Sequence, residues 1–186
     1  RTLGLTEFLV GTNSASPSNL PDAISDLEDT STIFHRRWTE GDYQRAGDVS
    51  KKAMALFDFI TNELLREQVK RKGLGTYLNS EFSRTMDTPC GSGVTGASQT
   101  DQESMVRCGP GNGILPLHLG NPRSLTLSRL LNKIKHRNPQ LMNFRFDNGD
   151  HIFIICPEDT GGGAEGIYEF SVAQFCDACR QAARIL

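Results

Sequence analysis

One stretch of the chain carries apolar positions at clear helical spacing. From Asp42 or Asp48 to Lys72, residues Val49, Ala53, Leu56, Phe57, Ile60, Leu64 and Leu65 share one stripe, which predicts an amphipathic helix. Lys70, Arg71 and Lys72 fall in its last turn, where cations oppose the negative helix end, and Gly73 supplies a residue for a left-handed cap. Upstream, "PDAISDLEDTSTIFHRRW" starts a short helix at Pro21, with acids in its first turn. The apolar run in "LTEFLV" predicts a strand or a turn of helix before a Ser/Pro/Asn-rich break. A further short helix is expected from Ser80.

The pattern then changes. "DTPCGSGVTGASQTDQES" has Gly, Ser and Thr without period, so residues 87–112 read as a flexible linker or loop. After it, "GILPLHLGN" is extended, and "RSLTLSRLLNKIKHR" gathers Leu127, Leu130, Leu131 and Ile134 on one face of a basic amphipathic helix. Pro139 ends that segment. "QLMNFRF" alternates, "DNGD" is a two-residue hairpin turn, and "HIFIIC" is a continuous β-rich run. "PEDTGGGAEG" is a loop, "IYEFSV" a third strand, and "SVAQFCDACRQAARIL" a terminal helix burying Phe175, Ala178, Ala182 and Ile185. The sum is an α+β chain: a helix-rich part over residues 1–86, the 87–112 connection, and an antiparallel sheet closed by a C-terminal helix over 113–186, in separate parts or as one continuous domain.

Composition narrows the function classes. The 186 residues suffice for one globular domain with a real core, and a hydrophobic content of 37% leaves room for loops. With 20 Lys and Arg against 22 Asp and Glu, no global field draws the chain to nucleic acid or an anionic membrane, so any electrostatic site is local. Five irregularly spaced cysteines do not form a secreted disulfide framework and point to a reducing, intracellular and cytoplasmic setting. No apolar run matches a membrane span, and "RTLGLTEFLV" lacks signal-peptide chemistry. The start without Met suggests a processed form or an excised domain.

Four places carry candidate chemistry. The triple glycine allows close backbone approach to an anion, but it leads into a strand and carries Glu158, Asp159 and Glu165, which repel phosphate. Cys176 and Cys179 form a C-x-x-C pair, and a zinc site would need two more ligands from Cys156, His151, Cys108 or Cys90; buried thiols on a helix face are the alternative. Cys90 in "TPCGSG" is a candidate nucleophile if His118 or His151 serves as base and Asp147 or Asp150 orients it. Arg123, Arg129, Lys133, Lys135, His136 and Arg137 form an acid-free run, with Arg36, Arg37 and Trp38 elsewhere, which suits nucleic acid, an acidic partner or a solvated face.

The stretches "QLMNFR", "HIFIIC", "GGGAEGIYEF" and the helix after them resemble the C-terminal half of phosphotyrosine-binding domains of the insulin-receptor-substrate and docking-protein type. That resemblance implies a pleckstrin-homology fold and an extended peptide held beside a sheet edge. It puts Arg145 at the first of two phosphate-holding arginines, while "CPED" stands where the second belongs. Peptide binding by strand addition remains the implied function. The expectation from the whole chain is a non-enzymatic interaction module without a cofactor. It would bind a peptide or partner protein along a sheet edge and the closing helix, through Arg145, Arg129, Lys133, Lys135 and Arg137. Nucleic-acid binding by the 123–137 face and a cysteine enzyme at Cys90 are the alternatives.

Overall fold

The computed structural model describes residues 19–158, 161 and 163–186. The "LTEFLV" reading lies outside the described residues. The α+β class expected from the sequence is the one the chain adopts.

Helix α1 (Leu20–Thr39) begins where the Asn19 side chain accepts from the Asp22 amide, with Pro21 in the first turn where no backbone donor is needed. It is longer than expected. Leu20, Ala23, Ile24, Leu27, Thr30 and Phe34 keep one face buried, and Thr30 satisfies its hydroxyl on the Asp26 carbonyl at 2.6 Å. Helix α2 (Tyr43–Gly73) is capped by Asp42 and buries Leu56, Phe57, Ile60 and Leu64 of the expected stripe, with Val49, Ala53 and Leu65 half-buried. Its end differs from the expectation at Gly73, which is still helical. The left-handed residue is Gly75 (φ 70), flanked by bonds from Gly75 N to Lys72 O and from Thr76 N to Arg71 O that close a Schellman motif.

After α3 (Glu81–Met86), which Ser80 caps as expected, the Gly/Ser/Thr stretch is ordered. It forms strand β1 (Pro89–Thr95) and helix α4 (Gln99–Arg107). Ser98 and Asp101 make a reciprocal capping box, which starts the helix without apolar periodicity. Loop-like composition misleads in β1 because its glycines answer to packing: a Cβ on Gly93 would come within 2.7 Å of Tyr168 Cε1.

A one-turn 3-10 helix (Leu117–Leu119) leads to β2 (Arg123–Thr126) and α5 (Leu127–Lys135), so the expected basic helix begins four residues after Arg123, which lies on a strand. Then come β3 (Arg137–Asp147), β4 (Asp150–Pro157), β5 (Gly166–Ser171) and α6 (Val172–Ala183). The β3–β4 hairpin pairs Asp147 with Asp150, as "DNGD" predicts. Pro139 sits inside β3, in the irregular stretch between Arg137 and Met142, and does not end the segment.

The five strands run in the order β2-β1-β5-β4-β3, with all neighbours antiparallel. Alternation sends Phe153, Ile155, Tyr168 and Phe170 to the face covered by α1, α2, α5 and α6, where they join the larger core. Residues from before position 87 and after position 112 share that cluster. Val94, Ile154, Cys156 and Ile167 face the other way and pack with Met105 of α4 and Leu115 in a smaller core. Among the described residues, no helix is long and apolar enough to cross a membrane.

Candidate functional site

Arg145 lies on β3, an outer strand of the sheet. Its guanidinium binds Glu169 of β5 through both terminal nitrogens, with Nη2 to Oε1 at 3.2 Å. Its Nε donates to Asp147 Oδ2 at 2.9 Å and Nη1 to the Gly113 carbonyl at 3.2 Å. Bonding to Glu169 first, and then to Asp147, raises its pKa further. The chain's own acceptors thus take four of its five N–H donors. Gly113 also donates its amide to the Phe144 carbonyl at 3.1 Å, so the loop before the 3-10 helix occupies part of the outer edge of β3.

The thiol and imidazole groups do not converge. Gly91 takes φ 83 at an irregularity between Pro89 and Ser92, and this bulge turns Cys90 into the larger core at 0% exposure. Burial pushes its thiol up to about 12, which suppresses the thiolate a nucleophile needs. His118 is exposed and bonds Asp101 at 2.9 Å. His151 Nδ1 instead shares a 2.8 Å hydrogen bond with Ser31 Oγ, and its ring stacks on Phe34 at 5.1 Å. Burial, with a smaller contribution from the charge of His35, pushes His151 down to about 4. Asp147 is engaged by Arg145, and Asp150 accepts from Ser171 Oγ at 2.8 Å. Among the described residues, no hydrogen bond joins Cys90 to a histidine.

The Ser31–His151 pair borders a cleft of about 460 Å³ with Glu28, His35, Asp150 and Asp177. The pairing was hidden in the sequence because 120 positions separate the two residues. No carboxylate bonds His151 among the described residues, so the imidazole lacks the orienting partner of a catalytic triad.

Cys176 and Cys179 fill the inner face of α6. Burial pushes Cys176 up to about 12 and raises Cys179 well above the ordinary thiol range, with nearby Cys90 adding to both. Among the described residues, no three His, Cys, Asp or Glu side chains are grouped to hold a metal ion.

The basic segment divides by partner. Lys133 pairs with Glu165, at the end of the glycine loop, and its ammonium lies 5.1 Å from the centre of the Tyr168 ring. Tyr168 donates its hydroxyl to the same Glu165 oxygen at 2.9 Å; burial and this bond raise its pKa, against a smaller pull from Arg129. Arg137 turns to α2 and holds Asp58 at 2.7 Å. Lys135 and His136 face solvent. Arg123 and Arg129 have no side-chain partner among the described residues. Both line a cleft of about 540 Å³ with Thr95, Asn121, Ser124 and Tyr168, beside β2.

Strand β2 is the other outer strand of the sheet. Among the described residues its backbone pairs with β1 and with nothing on its far side. The helix next to it in sequence and space is α5, while the closing helix α6 packs over β4, β5 and β1. Comparison of the chain with protein-family models, with curated proteins and with solved structures gave no match.

Proposed function

We propose that this protein is a non-enzymatic interaction module that receives an extended segment of a partner protein along β2. The observation that carries this reading is the contrast between the two sheet edges. Gly113 occupies part of the β3 edge and Arg145 is tied up beside it, whereas the outward backbone groups of β2 have no partner among the described residues. Unpaired strand edges add strands readily, and main-chain hydrogen bonds then supply affinity while neighbouring clefts supply specificity. An adaptor role inside the cell suits the five unpaired cysteines, four of them buried thiols.

The test starts from peptides selected on the intact protein from a random display library, followed by amide hydrogen exchange of the complex. The expected result is slowed exchange confined to Arg123–Thr126 and the adjoining turn of α5. Protection at β3, or a selection that yields no binder, would remove the reading.

A further inference from the structure

We infer that the cleft beside β2 takes a carboxylate-bearing side chain of the docked segment, so that the partner is an acidic extended peptide. This rests on the strand-addition reading and adds its specificity. Among the described residues, those lining the cleft include Arg123 and Arg129 and no Asp or Glu. Two other polar clefts are of opposite character: one holds Glu28, Asp150 and Asp177, and the other holds Asp150 and Glu169. Glu165, whose carboxylate accepts from the cleft-lining Tyr168, is already neutralised by Lys133. Two guanidinium groups therefore stand in a recess whose described lining carries no acid, with Thr95 and Asn121 also lining it.

The arrangement also fits the alternation of a bound strand. Arg123 pairs with Gly93 across β1–β2, and Gly93 is the position where a missing side chain leaves room for the Tyr168 ring. Arg123 thus rises from the sheet on the side of α5, where Arg129 stands one turn into the helix. A strand added outside β2 sends every second side chain to that same face, toward both arginines. Arginine's planar donor fork suits carboxylate geometry, and the charge adds to main-chain bonds that are blind to sequence.

The inference is tested with two acetylated, amidated peptides, one alternating Val and Glu and the other carrying Gln in place of each Glu. Affinity is read by calorimetry and β2 protection by amide exchange. The Glu peptide should bind the intact protein about tenfold more tightly than its twin, the size expected of one charge-assisted contact. Arg129→Gln and Arg123→Gln should each narrow that gap, whereas Lys135→Gln should leave it unchanged. All three residues are exposed, and an unchanged melting temperature verifies each variant's fold. Equal affinity of the two peptides, with β2 protected, would overturn the acid preference and leave strand addition standing. Arginine-dependent binding of the Glu peptide without protection of β2 would support an acid-binding cleft and remove strand addition. Tight binding of a single-stranded oligonucleotide at Arg123 and Arg129, with neither peptide bound, would overturn both in favour of nucleic acid.

Discussion

The Tyr168 ring occupies the space that a side chain at Gly93 would fill. The two residues face each other across β1 and β5, and a Cβ on Gly93 would lie 2.7 Å from Cε1 and 2.8 Å from Cγ of the ring. Tyr168 cannot give way freely, since its hydroxyl is bonded to Glu165 and Lys133 lies against its face.

Gly93→Ala should therefore cost stability well beyond the ordinary effect of a surface change. A buried overpacking clash of this kind typically costs about 1–3 kcal/mol. Urea unfolding of Gly93→Ala beside Gly96→Ala makes the comparison, because among the described residues no atom beyond its chain neighbours lies within 4 Å of a Cβ built on Gly96. Gly96 has φ 72, so its variant reports backbone strain without a clash. A Gly93 variant no less stable than wild type would show that Tyr168 relocates at little cost.

The same pair explains what could be read from the sequence and what could not. The α2 stripe, the "DNGD" hairpin and α6 rest on local spacing and turn chemistry, and these survive in the fold. The run "PCGSGVT" has no such signal. It is a central strand because Tyr168, 75 positions later, needs a neighbour without a side chain, as the Gly93↔Tyr168 register shows. Site residues failed in the same way. Arg145 carried the right chemistry for an anion, but its meeting with Glu169 depends on how three strands line up, which no local pattern encodes. The free status of Arg129 depends on Glu165 choosing Lys133 four residues further along the helix.

Thiol reactivity should rank by burial. Cys108 is exposed, with its sulfur 2.8 Å from the Met105 carbonyl and 3.1 Å from that of Asn112, whereas Cys90, Cys156, Cys176 and Cys179 are buried. Treatment of native protein with iodoacetamide, followed by peptide mass mapping, should modify Cys108 alone. The other four should react only as denaturant opens the core. Labelling of Cys90 ahead of Cys108 would revive the thiol-enzyme reading.

Acidification should weaken the fold through His151. Its pKa falls from an ordinary value of 6.5 to about 4 in the folded chain because burial disfavours the cation. Above roughly pH 6.5 the imidazole is neutral in both states, and its contribution is fully present. As pH falls toward 4, the unfolded chain takes up a proton that the folded chain refuses, so stability drops, by at most about 3 kcal/mol and less with partial solvent access. The bond to Ser31 and the stack on Phe34 tie α1 to the β3–β4 hairpin, so the loss should appear there first. His35, Asp150 and Glu28 line the same cleft, so the informative quantity is the difference between wild type and His151→Phe in denaturant midpoints from pH 7.5 to 4.5. A variant with the same pH slope as wild type would rule out this role.

The Arg145–Glu169 pair should behave as a structural strut. Side-chain exposures of 21% and 19% mean that either partner left alone keeps a poorly solvated charge. Arg145→Ala strands Glu169 and also releases the Gly113 carbonyl, so it should cost about 2–4 kcal/mol, toward the range for breaking a buried pair. Glu169→Gln leaves Arg145 with Asp147 and a neutral acceptor and should cost less, about 1 kcal/mol. If Arg145 were instead an anion-binding residue like the first arginine of a phosphotyrosine site, Glu169→Gln would free it, and a phosphotyrosine peptide would bind that variant better than wild type. The strut reading expects neither protein to bind the peptide, and hydrogen exchange should show the 111–115 segment loosening in Arg145→Ala. Stability unaffected by Arg145→Ala, together with phosphopeptide binding in Glu169→Gln, would return the ligand site to β3.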